Sequence, residues 1–293
     1  MKSLREVLTD VDARHVAVGH FNISELAALK GIFAAAQSIS TVQHYNIPIL
    51  IGASEGEREF IGVHQAVALV KSLREEYDYP IFLNADHTHT FEKAVEAAQA
   101  GFDEILFDGS ALPMEQNIAE TKRVVAAIRA INPEIVIEGE IGYIGASSEI
   151  ITEKPANLAL STPEEAVRFA QETGVDVLAP AVGNMHGLLK TMVAGTEHKR
   201  LDISRIAEIK KACGIFLTLH GGSGTADEDF KLAVAAGMNI VHVSSELRLA
   251  WRRGVEAGLA ASLDEIAPYK ILPPAVEGIK KIVEDRLALF NGL

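Results

Sequence analysis

Apolar positions along the chain alternate between two rhythms. Short runs rich in β-branched residues cover Val16–Asn22, Pro48–Ala53, Pro80–Asn84, Glu104–Asp108, Ile135–Ile141, Asp176–Val182, Ile215–His220 and Asn239–Ser244, and each has the length and composition of a strand. Between them apolar residues recur three and four apart, which predicts helices over Ser24–Ser40, Gly62–Glu76, Phe91–Ala100, Met114–Ile131, Pro163–Thr173, Ile203–Ala212, Asp227–Ala236 and Leu247–Leu263. Several of these run into a glycine just before the next strand (Gly101, Gly174, Gly214, Gly237), where a left-handed cap fits. Eight strand-then-helix units without a linker predict an α/β fold: a closed (β/α)8 barrel in a single domain over residues 1–293, with an additional C-terminal helix over Pro273–Leu293. An open doubly wound sheet is the competing arrangement; no GxGxxG follows the first strand, which disfavours a dinucleotide-binding version. Two connections exceed a tight turn, Gly142–Thr162 and Gly183–Asp202, and loops of that length often cover an active site.

Composition narrows the function more than the fold. With 293 residues, 48% of them hydrophobic, the chain can bury a large core. A net charge of −13 argues against nucleic acid and anionic membranes as partners, both of which select clustered positive charge. It leaves room for a small phosphorylated ligand, because backbone amides and one or two local groups can hold a phosphate. The single cysteine, Cys213, excludes an internal disulfide. The opening MKSLREVLTD has no apolar signal core, and no run of about 18 apolar residues occurs, so a cytoplasmic location is expected.

In a barrel, the C-terminal ends of the strands converge on one mouth. The residues there are His20 and Asn22, Asp86 and His87, Asp108, Glu140, His186 just beyond the sixth strand, His220, and His242 on the eighth. Three neutral imidazoles (His87, His186, His220) with an open position suit a catalytic Zn²⁺, whereas a structural site would close with a fourth protein ligand. Asp86 beside His87 suits acid–base work on a substrate hydroxyl, although as a lone acid it could instead cap the following helix, a task Thr88 or Thr90 can also do. Asp108 and Glu140 could orient the imidazoles or hold a second cation. His220-Gly-Gly-Ser-Gly224 is a glycine-rich turn where this fold commonly holds phosphate, with Ser223 as a donor. The pair His87-Thr-His89 invites comparison with metal-dependent hydrolases of this fold, but those carry it on the first strand; His89 is read as a solvent-facing neighbour.

Together the segments GHFN (19–22), ADH (85–87), FDGS (107–110), EGEIG (138–142), GNMHG (183–187) and HGGSG (220–224) resemble the class II fructose-bisphosphate and tagatose-bisphosphate aldolases, over about Val18 to Ala250. The resemblance implies Zn²⁺ or another divalent metal on His87, His186 and His220. It implies Asp86 as the acid–base residue at the C4 hydroxyl, and Asp108 and Glu140 as secondary metal or supporting acids. Gly187, Gly221, Ser223 and Ser245 would line a phosphate site, Asn22 and His242 would contact substrate, a monovalent cation would bind near these glycines, and the protein would be a homodimer or homotetramer. An acid on the strand-five loop would handle the enediolate proton, with Glu149 the candidate. No lysine falls within the eight strand runs, which disfavours a Schiff-base route. Two departures stand out: His242 replaces the usual Asn in His242-Val-Ser-Ser-Glu246, and the strand-five loop reads GASSEI where the family more often has paired glycines and two acids. Both fall where substrate is contacted, which implies retained metal chemistry with a shifted sugar preference. Another metalloenzyme on this barrel (a hydrolase or an epimerase) and a non-catalytic aldolase-like subunit are the other readings.

Overall fold

The computed structural model describes residues 2–145, 149–154 and 158–293. Eight strands are hydrogen-bonded edge to edge in a closed ring: β1 (Val18–Asn22), β2 (Ile49–Ala53), β3 (Ile81–Thr88), β4 (Glu104–Phe107), β5 (Val136–Ile141), β6 (Val177–Pro180), β7 (Phe216–Leu219) and β8 (Met238–Val243). Every neighbouring pair is parallel, including β1 with β8, where His20 lies opposite His242. Closure removes the sheet edges and decides for the barrel over the open sheet. The eight expected helices are present within a few residues of their expected bounds, and Gly101, Gly174 and Gly214 adopt the left-handed cap. No described helix is long and apolar enough to cross a membrane.

Four described helices were not expected: two single turns, Lys190–Val193 and Pro268–Ile271, and two longer ones. Leu4–Arg14, opened by a Ser3–Glu6 capping box, packs Leu4, Val7, Leu8 and Val11 across the bottom of the barrel. There they meet the inward-facing residues Val18, Leu50, Phe82, Val136, Val177 and Ile240. The other, Glu55–Ile61, follows β2 directly and stands at the mouth. The added C-terminal helix, Pro273–Phe290, buries Ile279, Val283, Leu287 and Phe290 against the core and packs on helices Leu26–Gln43 and Ser245–Ala261. Contact is close enough that a Cβ on Gly254 would lie 2.2 Å from the Ala275 Cα, so glycine is required at that crossing.

β3 also departs from expectation, running on to Thr88. Its register with β4 slips between Ala85 and Thr88, and His87 sits at φ +41°. This bulge turns both Asp86 and His87 into the mouth, where a regular strand would send them to opposite faces.

Candidate metal centre and catalytic mouth

Alternation along the strands stacks the interior in layers. Above the apolar floor come His20, Asn84, Glu104, Glu138, Thr218 and His242, and above them Asn22, Asp86, Glu140 and His220, all buried. Sequence reading singled out Glu140 but not Glu138, although the two share one face of β5. Glu138 accepts the Nε2 proton of His220 at 2.6 Å. Burial raises the Glu138 carboxyl, opposed by His220; burial and Glu138 also raise the Glu104 carboxyl well above its usual range.

His87, His186 and His220 each place a ring nitrogen within 4.8 Å of the others. Their rings stand edge to face, with His87 4.8 Å from His186 and 4.9 Å from His220 between centroids. Carboxylates set two of the tautomers. Asp108 Oδ2 holds His87 Nδ1 at 2.8 Å while its Oδ1 accepts the Ser110 amide and hydroxyl, so His87 turns Nε2 to the centre. Glu138 holds His220 Nε2, which leaves Nδ1 for the centre. His186 Nε2, His220 Nδ1 and Glu140 Oε2 are buried without hydrogen-bond partners among the described residues, and Glu140 Oε2 lies 3.3 Å from His220 Nδ1. Orphaned acceptors of this kind fit a divalent cation. A second group able to hold one, His87 with Asp108 and Glu140, overlaps the first. Burial opposes the charge on His87, but Asp86, Asp108 and Glu140 outweigh it and raise its pKa to about 9. Burial, with the neighbouring His87 and His220, holds His186 well below its usual value.

Asp86 lies beside this centre. Its Oδ2 accepts the Asn22 amide at 2.8 Å, while Oδ1 has no hydrogen-bond partner among the described residues and stands 3.5 Å from His242 Nδ1. Burial works against its charge, yet His87, His242 and His20 hold the carboxyl well below the usual range. Asp86 is not a helix cap: Thr90 takes that place by accepting the Lys93 amide. Arg58, from the unexpected helix and only 2% exposed, secures the bulge. It donates to the carbonyls of Ala53 (2.6 Å) and Asp86 (3.0 Å) and to the Thr88 hydroxyl (3.0 Å). From the same helix, Glu57 accepts Asn22 at 2.9 Å. His242 is sandwiched between His20 (3.4 Å, parallel) and His220 (4.1 Å). Burial holds both His20, at about 4, and His242 below the usual imidazole value. Gly52 makes room for this stack, since a Cβ there would fall 2.0 Å from the His20 ring.

A cavity of about 430 Å³ opens above these groups. Of the residues singled out in the sequence, Asn22, Asp86, His87, Asp108, His186, Gly187, Gly221, Ser223, His242 and Ser245 line it, while Glu140 and His220 lie just beneath. The Ser223 hydroxyl accepts the amides of Ser244 and Glu246 at 3.2 and 3.3 Å, leaving its proton for an anion. Gly221 is at φ +58°, and a Cβ there would lie 2.3 Å from the Met185 carbonyl oxygen. Glu149 is exposed and does not line the cavity; its carbonyl accepts the Leu188 amide beside a short parallel pairing of Ile150–Ile151 with Leu188–Leu189. Among the described residues of the strand-five loop Tyr143 and Gly145 reach it, and Ala146, Ser147 and Ser148 of GASSEI lie outside the described residues. His89 is half-exposed, as expected, and is not part of the three-histidine group. Lys199, unflagged by sequence, lines the cavity from the strand-six loop, and burial pushes its amine down to about 7.

Comparison with known proteins agrees with this geometry. The sequence profile described as "Fructose-bisphosphate aldolase class-II" matches residues 2–292. A protein of Bacillus subtilis (strain 168) named "Probable fructose-bisphosphate aldolase" is 32% identical over 292 residues, 99% of this chain and 97% of the relative. A fructose-bisphosphate aldolase of Staphylococcus aureus (strain Mu50) is 31% identical, covering 99% and 96%. Among solved structures, the YdjI aldolase from Escherichia coli K12 superposes with a TM-score of 0.80 at 24% identity, covering 98% of this chain and 96% of that one. The fructose-bisphosphate aldolase of Campylobacter jejuni gives 0.80 at 19% identity, covering 98% and 94%.

Proposed function

The chain belongs to the class II fructose-bisphosphate aldolase family, and from that premise we propose that it reversibly cleaves a ketose (bis)phosphate to dihydroxyacetone phosphate and an aldehyde, with Zn²⁺ held by His87, His186 and His220. The observation that carries this reading is the set of buried, partnerless nitrogens on His186 and His220, gathered with His87 beside an ionised Asp86. When bound, the metal supplies Lewis-acid polarisation of the substrate carbonyl, the electron sink that breaking C3–C4 requires.

The chain's own groups do the rest. Asp86 Oδ1 takes the C4 hydroxyl proton as the C3–C4 bond breaks and returns it in condensation. Asn22 and Arg58 fix the carboxylate, the first through its side chain and the second through the bulge. Asp108 and Glu138 keep His87 and His220 in the tautomers that present a lone pair to the centre. Gly187, Gly221, Ser223 and Ser245, the last at the start of helix Ser245–Ala261, hold the phosphate. Glu149, exposed as it is, reaches substrate only if the strand-five loop closes. Family membership also supports a homodimer or homotetramer in the cytoplasm.

His242 lines the cavity, backed by the fully buried ring of His20, and this supports a preference shifted away from fructose bisphosphate. The test is release of dihydroxyacetone phosphate from a panel of ketose mono- and bisphosphates, with chelator and with added Zn²⁺. Chelator-sensitive release restored by Zn²⁺ is expected; no release from any member of the panel by metal-loaded protein would overturn the reading, and fructose bisphosphate as the best substrate would overturn the shifted preference.

A further inference from the structure

Lys199 occupies a place that neither acid–base chemistry nor metal binding explains. Its backbone runs alongside the glycine-rich turn, donating to the Gly224 carbonyl at 2.8 Å and forming a parallel bridge with Thr225. The residue is 4% exposed yet lines the cavity. Its Nζ donates to the carbonyls of Met185 (2.7 Å) and Gly221 (2.9 Å), the residues adjoining His186 and His220. These are two acceptors for three N–H groups.

Charge pairing around it is incomplete. Among the described residues no carboxylate lies within ion-pair distance of Lys199. Glu246, the acid that acts on it from farther off, is already bonded to Arg286 and to the Gly224 amide. The other cation lining the cavity, Arg248, pairs with Glu57 at 2.7 Å. A buried ammonium with only carbonyl dipoles around it is an expensive arrangement, and the lowered amine pKa is the sign of that cost. An anion entering beside Ser223 and Gly221 would supply the missing counter-charge.

We propose that Lys199 is a built-in cation of the substrate site. Its ammonium ties the His186 and His220 loops together through their carbonyls and supplies the positive charge that the substrate's phosphate pairs with. The Met185 and Gly221 oxygens, which a free monovalent cation could have used, are thereby occupied, and none is needed. The inference rests on the reading that the substrate is phosphorylated.

Calorimetric titration with dihydroxyacetone phosphate and with inorganic phosphate tests it. Wild type, Lys199→Ala and Lys199→Met are compared in tetramethylammonium buffer, with and without added NH₄⁺ or K⁺, and bound zinc is measured for each. Wild-type affinity is expected to be the same in every cation. Both variants should bind roughly tenfold to a hundredfold more weakly, the range for losing a charge-assisted contact. Lys199→Ala leaves space between the carbonyls and should recover several-fold with NH₄⁺ or K⁺; Lys199→Met fills that space and should not. Variants that bind like wild type, a loss that no cation recovers, or a wild type that needs K⁺ would each overturn the proposal. Lys199-dependent phosphate binding without cleavage of any ketose phosphate would leave it standing and remove the aldolase reading. Cleavage by the wild type with unchanged binding in the variants would do the reverse.

Discussion

At the N-terminal end of the barrel strands, Val18, Leu50, Phe82, Val136, Val177 and Ile240 meet the helix Leu4–Arg14 in a dry apolar layer. Charges at that end are paired: Asp176 accepts Arg5 at 2.7 Å, Arg129, and the Ile137 amide at 2.9 Å. At the C-terminal end the same strands carry His20, Asp86, Glu138, Glu140, His220 and His242, and one buried polar atom on each lacks a hydrogen-bond partner among the described residues. One end satisfies its groups internally, and the other holds groups waiting for a ligand. Stability and function are thus assigned to opposite ends, as the fold generally allows, and the mouth is built at some expense of stability.

The sharpest way to break this comparison is at Asp86. Asp86→Asn should lower kcat by about 10²–10⁴-fold, the usual worth of a general base, with bound metal and melting temperature unchanged or the latter raised. A kcat within a few-fold of wild type would remove Asp86 from proton transfer. The counterpart at the floor is Leu8, fully buried against the barrel. Leu8→Ala should destabilise the protein by about 2–5 kcal/mol in denaturant unfolding while leaving kcat per folded molecule intact; a loss of kcat without a loss of stability would mean the two ends are coupled.

Arg58 joins the two roles. Arg58→Met should reduce kcat by roughly tenfold to a hundredfold through relaxation of the bulge that aims Asp86, and should also cost about 1–3 kcal/mol, because buried carbonyls lose their donor. A variant that loses stability alone would show that the bulge holds its own shape. The smallest effect is expected at Asp176. Its carboxyl is held below the usual range: burial opposes the charge, but Arg5, Arg129 and the Ile137 amide outweigh it. The stability it contributes is therefore fully present above its unfolded value, near 3.8, and is lost as pH falls through the lower folded value. Asp176→Asn should cost about 2 kcal/mol at neutral pH and progressively less in acid, with kcat unchanged. Equal destabilisation at every pH would mean that packing, not charge, is its contribution.

Much of the site was legible before the structure. The ends of eight strands, read in order, put His87, His186, His220, Asp108 and Asp86 at one mouth, and the cavity gathers them there. Glu138 was available by the same logic, as the first residue of EGEIG and two before Glu140 on one strand face, but it lies below the strand end where the mouth residues were sought. Arg58 and Lys199 gave no such signal. Arg58 lies on a short helix of mixed polarity after β2, and Lys199 in a long loop without periodicity. Each matters only through carbonyls of residues distant in the chain.

Alternating apolar periods by themselves determined the fold class and the order of its elements, because burial selects period two for strands and about 3.6 for helices whatever the partner. The residue types at strand ends determined that metal and acid–base chemistry was available. Only the tertiary structure decided that the sheet closes, that a helix plugs the floor, and that β3 bulges so that adjacent Asp86 and His87 face the same centre. It alone decided that Lys199 lies between the Met185 and Gly221 carbonyls, with no carboxylate at ion-pair distance among the described residues. These outcomes depend on which backbone groups meet across long sequence separations, and local propensity carries no record of such meetings.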